Sequence, residues 1–167
     1  MTLSINFSKD MVLVLRKKAK TYDWQVDWPA DGERWLVDVS GIPHTRGRRP
    51  WILIEVELKR DDPVGNVVKI WNWSKEQQIT NRIVLFQAFS QHYWETRTRL
   101  RLRAEFIGEE MSKDKSINVR YKCLPMRKYK PRKGKTQGAG RRAIHAKNLA
   151  RTIIHLIKQP SLRKLLK

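Results

Sequence analysis

The chain has very little cysteine: Cys123 is the single one among 167 residues. No intrachain disulfide and no cysteine-rich zinc site can be built from it, which fits a reducing compartment. The four histidines, His44, His92, His145 and His155, are scattered without metal-ligand spacing, and none is assigned a catalytic role. No apolar run approaches the roughly 18 residues of a membrane span. The N-terminal segment lacks the basic start and long apolar middle of a secretory signal. Together these absences lead to the expectation of a soluble, cytoplasmic protein with no membrane partner. Acidic residues are missing from the last third, where none follows Asp114.

What is present instead is positive charge. The chain carries 36 Lys and Arg against 16 Asp and Glu, a formal net charge of +20. Residues 115–167 hold 17 of the basic residues and no acid, so residues 1–114 are left with 19 basic against 16 acidic. A nearly neutral body with a basic extension follows, and such an extension suits a polyanionic partner. We divide the chain into a domain over 1–126 and a basic, nucleic-acid-binding tail over 127–167. Within the tail, Arg127, Lys128, Lys130, Arg132, Lys133, Lys135, Arg141 and Arg142 are candidate phosphate contacts. Such contacts supply affinity that falls with salt, and little sequence choice. The alternative is a targeting or ribosome-adhering extension. Residues 143–157 regain helical spacing through Ala146, Leu149, Ala150, Ile153 and Ile157. That pattern predicts a basic amphipathic helix able to pack on protein.

Upstream, Ser8 is placed to cap a helix over about 9–21. Trp24–Trp28 alternates as a short strand, and 34–39 reads as a second. The loop 41–50 carries Arg46, Arg48 and Arg49, which either form a solvated hairpin tip or reach a nucleic-acid groove. Trp51–Lys59 alternates strictly, with Ile52, Ile54, Val56 and Leu58 on one face and Leu53, Glu55, Glu57 and Lys59 on the other. Asp61 or Asp62, followed by Pro63, opens a helix to about Gln78 that buries Val64, Val67, Val68 and Trp71. The apolar run 82–90 predicts a central strand covered on both faces. A helix over 96–112 and a strand over 117–124 follow. The order describes an α/β sandwich with a mixed sheet. Seven tryptophans are either core or base-stacking platforms; Trp35, Trp51 and Trp71 sit in apolar patterns and are assigned to the core.

Asp38, Glu55 and Glu57, with Lys59, would converge on one sheet face. Hydrolysis of a phosphodiester needs a cation at the scissile phosphate, an activated water and a stabilised leaving oxygen. Mg²⁺ takes one or two carboxylates plus water and substrate oxygens, so such a cluster suits it. Without a cation, crowded carboxylates should raise at least one pKa. The plain alternative is a solvated strand face. Against it, a strand flanked by apolar strands would bury these carboxylates at a cost.

Asp38, a hairpin loop, and Glu55-Val-Glu57-Leu-Lys59 on the next strand resemble the core of the PD-(D/E)XK nucleases, over roughly residues 9–125. Val37 stands where that family often has proline. The resemblance implies a restriction-endonuclease-like three-layer sandwich with a central mixed sheet, here followed by a basic C-terminal extension ending in a helix. It implies Asp38, Glu55 and Glu57 as ligands of Mg²⁺ or Mn²⁺ and Lys59 as the assisting cation. Two registers remain open: Glu57-Leu-Lys59 as the (D/E)XK unit, or Glu55-Val-Glu57 with Lys59 accessory. Lys69 and Gln77, on the following helix, are read as part of a solvated face, the resemblance offering as the alternative a place near the metal or phosphate. The expected activity is a metal-dependent endonuclease on DNA, with RNA as the other substrate class. It would act as a homodimer or with a partner that supplies specificity. The competing expectation is a non-catalytic DNA- or RNA-binding protein on the same scaffold.

Overall fold

The computed structural model describes residues 3–29, 36–45, 49–77, 79–126, 128–129 and 139–160. Five strands and five helices alternate as α1 (Leu3–Lys18), β1 (Tyr22–Pro29), β2 (Leu36–Pro43), β3 (Trp51–Glu57), α2 (Pro63–Lys75), β4 (Ile83–Ser90), α3 (Gln91–Glu95), α4 (Thr98–Lys113), β5 (Val119–Met126) and α5 (Ala139–Lys158). The strands form one sheet in the order β1-β2-β3-β4-β5. β2 is antiparallel to both β1 and β3, and β3, β4 and β5 are parallel to one another. The fold is therefore α/β with a mixed five-stranded sheet, as its alternation of elements predicts.

Strand alternation sends side chains to two separate cores. Ile52, Ile54 and Val56 of β3 and Val84, Phe86 and Ala88 of β4 meet α1 and α5 on one face. Leu53 of β3 and Ile83, Leu85 and Phe89 of β4 meet α2 and α4 on the other. All eight residues of β4 are buried, as a central strand requires. Asp62 caps α2 by accepting from Gly65 N–H at 3.0 Å, with Pro63 in the first turn.

Several local expectations are corrected. Helix α1 begins at Leu3, so Ser8 lies inside it, fully buried, and is no cap. Strand β2 runs on to Pro43 because Gly41 admits the Trp24 ring: a Cβ there would come within 2.6 Å of Trp24 Cζ3. The buried stripe of α2 is Val67, Ile70 and Trp73, while Val68 is 36% exposed and Val64 and Trp71 are half-buried. The helix expected over 96–112 is α4, and a short helix not expected from the sequence, α3, precedes it. Trp24 and Trp73 are core tryptophans, Trp51 and Trp71 pack at the edge of the second core, and Trp35 lies outside the described residues.

The closing helix packs on α1 and buries Ala146, Leu149, Ala150 and Ile153 in the same core as the sheet. Arg142 ties it to α1 through Asp10, with Nε to Oδ2 at 2.7 Å. Tyr129, 1% exposed, also belongs to this core.

Candidate active site

The α2-facing side of the sheet is apolar at Leu53 and Leu85 and turns polar further along the strands, where β3 presents Glu55 and Glu57 and β4 presents Gln87. All three are 0% exposed, and Asp38 on β2 is 6% exposed. A solvated strand face is thereby ruled out.

Asp38 bridges two strands with its side chain. Its Oδ2 accepts the Val56 N–H at 2.7 Å, and its Oδ1 lies 3.3 Å from Arg60 Nη2. Glu55 Oε1 is ion-paired with Lys69 Nζ at 2.5 Å, and its buried Oε2 has no partner. Lys69 Nζ also donates to the Leu36 carbonyl at 2.7 Å and to Asn66 Oδ1 at 3.0 Å. Glu57 Oε1 accepts from Asn66 Nδ2 at 2.7 Å and from Gln87 Nε2 at 2.8 Å, while its Oε2 is unpartnered. Tyr121 Oη donates to Gln87 Oε1 at 2.9 Å and fixes that amide from β5. Gly108 on α4 lets this ring approach, since a Cβ there would stand 2.4 Å from Tyr121 Cγ.

The electrostatics follow from burial and crowding. Burial pushes Glu55 well above the usual carboxylate range; Asp38 adds to the rise and Lys69 opposes it. Burial likewise pushes Glu57 up to about 7, against the hydrogen bonds from Asn66 and Gln87. Asp27, on β1, is raised by burial and then by Asp38. It sits in the left-handed region at φ 52°, at the one position where the β1–β2 pairing between Val26 and Trp28 is interrupted. The expected raised carboxyl pKa is thus present, with desolvation ahead of mutual repulsion as its cause.

Asp38, Glu55 and Glu57 are brought into one electrostatic cluster, as expected. Lys59 is placed differently: it follows the end of β3, is exposed, and its charge is felt by His92. The cation set against Glu55 is Lys69, whose side chain is only 9% exposed, so its assignment to a solvated face is corrected. Gln77 lies past the end of α2 at φ 58°. Asn66, Gln87, Arg60 and Asp27 were not singled out from the sequence. Asn66 and Lys69 carried one usable signal, since three residues apart they share a helix face. Gln87 was visible as the lone polar side chain in the interior of an apolar strand.

Of the candidate phosphate contacts, Arg49, Lys128 and Arg141 are exposed, and Arg49 Nη1 donates to Thr21 Oγ1 at 2.8 Å. Arg142 is committed to Asp10. Arg46, Arg48, Arg127, Lys130, Arg132, Lys133 and Lys135 lie outside the described residues.

Among the described residues, no group of three or more His, Cys, Asp or Glu side chains is arranged to hold a metal ion, and no helix is long and apolar enough to cross a membrane. What the donor set does fit is a cation carried by two carboxylates and completed by water and substrate oxygens, the pattern Mg²⁺ takes. Asp38 and Glu55 would be that pair, and the buried Oε2 of Glu55, which has no partner, is the observation that fits. No family model, no curated protein and no solved structure matches this chain.

Proposed function

We propose that this α/β body is of the restriction-endonuclease-like kind and that the protein is a Mg²⁺-dependent endonuclease hydrolysing DNA phosphodiesters. The observation that carries the reading is the buried Asp38–Glu55 pair, in which Glu55 Oε1 faces the Lys69 ammonium and its buried Oε2 has no partner. Unpartnered buried carboxylate oxygens are costly, and a site that binds a cation gives them a use. Bound Mg²⁺ would neutralise the scissile phosphate and acidify a coordinated water.

The chain's own residues then divide the work. Asp38 and Glu55 would hold the cation, and the Val56 N–H and Arg60 fix the Asp38 carboxylate. Glu57, with a pKa of about 7, is matched to proton transfer near neutral pH, and Oε2 is its free acceptor. Lys69 balances Glu55 in the structure and would be available to phosphate if a cation took over that charge. This assigns the assisting role to Lys69 instead of Lys59. Glu57 is in register with Phe89 and Phe89 with Pro125, so the basic segment departs after Met126 at the same end of the sheet. Two strand spacings, about 10 Å, separate that exit from Glu57.

A second reading is a non-catalytic nucleic-acid-binding protein. It is favoured by the complete burial of Glu55 and Glu57 and by the compensation of Glu55 and Asp38 through Lys69 and Arg60. Incubation of the full chain with supercoiled, linear and single-stranded DNA and with RNA, in Mg²⁺, Mn²⁺ or EDTA, separates the two. The nuclease reading expects EDTA-sensitive cleavage that falls at least about 100-fold in Asp38→Asn and Glu55→Gln. Absence of cleavage, with salt-sensitive binding unchanged in both variants, would establish the binding protein instead.

A further inference from the structure

The outward face of α4 has an unusual composition for a solvated helix. Leu102 and Phe106 are 51% and 59% exposed, and four residues apart they are neighbours on one face. They border an open groove of about 590 Å³ that Val64 of α2 and Leu100 and Ile107 of α4 also line. Val68, 36% exposed, extends the apolar area on α2.

Charge on this face is sorted along the helix. Arg99 is exposed at its N-terminal end and Glu109 toward its C-terminal end, where Lys113, on the same arc, is paired with Glu110 at 2.7 Å; Arg103 lies between Leu102 and Phe106. At 100° per residue, positions 99, 102, 103, 106 and 109 share an arc of about 120°. Arg97 and Arg101, which alternate in sequence with Arg99 and Arg103, are spent within the chain. Arg101 stacks on Trp94 at 3.8 Å and pairs with Glu105, and Arg97 pairs with Asp61.

A face with Arg99 at one end, Glu109 toward the other and Leu102 and Phe106 between them is complementary to itself when reversed. The antiparallel register that sets Leu102 of one copy on Phe106 of the other sets Arg99 opposite Glu109 at both ends. A nucleic acid or any uniformly charged partner would match only half of the face. We propose that α4 is a self-association surface, through which two copies pair helix to helix about a two-fold axis. Such an isologous contact closes on itself and gives a dimer rather than a chain of copies. This inference is independent of the catalytic reading, since α4 supplies none of its carboxylates.

Sedimentation of the full chain across the micromolar range tests it, with circular dichroism as the check on folding. The expected result is a rise from 19.9 kDa toward twice that mass as concentration increases. Arg99→Glu and Glu109→Arg, each at an exposed position, should each remain monomeric, because like charges then face one another at both ends. Mixed in equal amounts, the two variants should regain the doubled mass, since each altered charge then faces its opposite. A wild-type chain that stays monomeric, including one that instead captures a different protein on this face, would overturn the proposal. A dimer that survives both charge reversals would overturn it as well, and so would monomeric variants that fail to pair on mixing.

Discussion

Replacing Glu57 by glutamine should stabilise the protein, increasingly as pH rises from about 4.5 and fully above about 7. Glu57 is 0% exposed, its Oε1 is bonded to Asn66 and Gln87, and its Oε2 has no partner. Its pKa, ordinarily 4.5, is pushed to about 7, chiefly by burial. The folded protein therefore binds this proton more tightly than the unfolded chain does. The associated stability is fully present below pH 4.5 and is lost as pH rises through about 7. At about 1.4 kcal/mol per pH unit, the loss above pH 7 amounts to roughly 3 kcal/mol. Glutamine keeps the shape and the Oε1 acceptor but has no charge to bury. The difference between variant and wild type should grow from near zero at about pH 4.5 to about 2–3 kcal/mol at about pH 8. For a chain of this size that is a rise in Tm of roughly 5–10 °C. Thermal and urea denaturation followed by circular dichroism in EDTA, at several pH values, measures it. A difference that does not change with pH, or a variant less stable than wild type at about pH 8, would refute the burial of a reluctant carboxylate as the controlling feature.

Two further outcomes test the surroundings of the same cluster. Lys69→Met leaves Glu55 buried beside Asp38 without its cation and should cost about 3–5 kcal/mol near neutral pH. The loss should shrink in acid, where Glu55 protonates, and in the Lys69→Met/Glu55→Gln double variant; equal losses at all pH values in urea denaturation would contradict the ion pair. Gly108→Ala should displace the Tyr121 ring, cost about 1–3 kcal/mol and loosen Gln87 against Glu57. A parallel fall in any metal-dependent cleavage would show that the chain of contacts from α4 to Glu57 positions the site, and unchanged stability would show that α4 shifts freely.

Much of this protein was determined locally. Strict alternation over residues 51–58 placed Glu55 and Glu57 opposite Ile54 and Val56, because a strand has a side-chain period of two whatever surrounds it. The unbroken apolar run of β4 declared its burial on both faces, and Asp62 with Pro63 marked the start of α2 by capping chemistry confined to four residues. The helical stripe through Ala146, Leu149, Ala150 and Ile153 likewise announced a packed helix. Other features required the folded chain. Period-two logic extends Lys59 onto the acidic face only if the strand continues, and β3 ends at Glu57. Lys69 meets Glu55 because the parallel crossover lays α2 over β3, a relation between residues 14 apart in sequence that no local pattern encodes. Gln87, Asn66 and Asp27 entered the cluster in the same way, through strand pairing and layer packing. Sequence periodicity decided which face each side chain takes, because that is set by local backbone geometry. Tertiary structure alone decided which charge lies against which, because desolvation and a contact of 2.5 Å depend on what the rest of the chain packs around the pair.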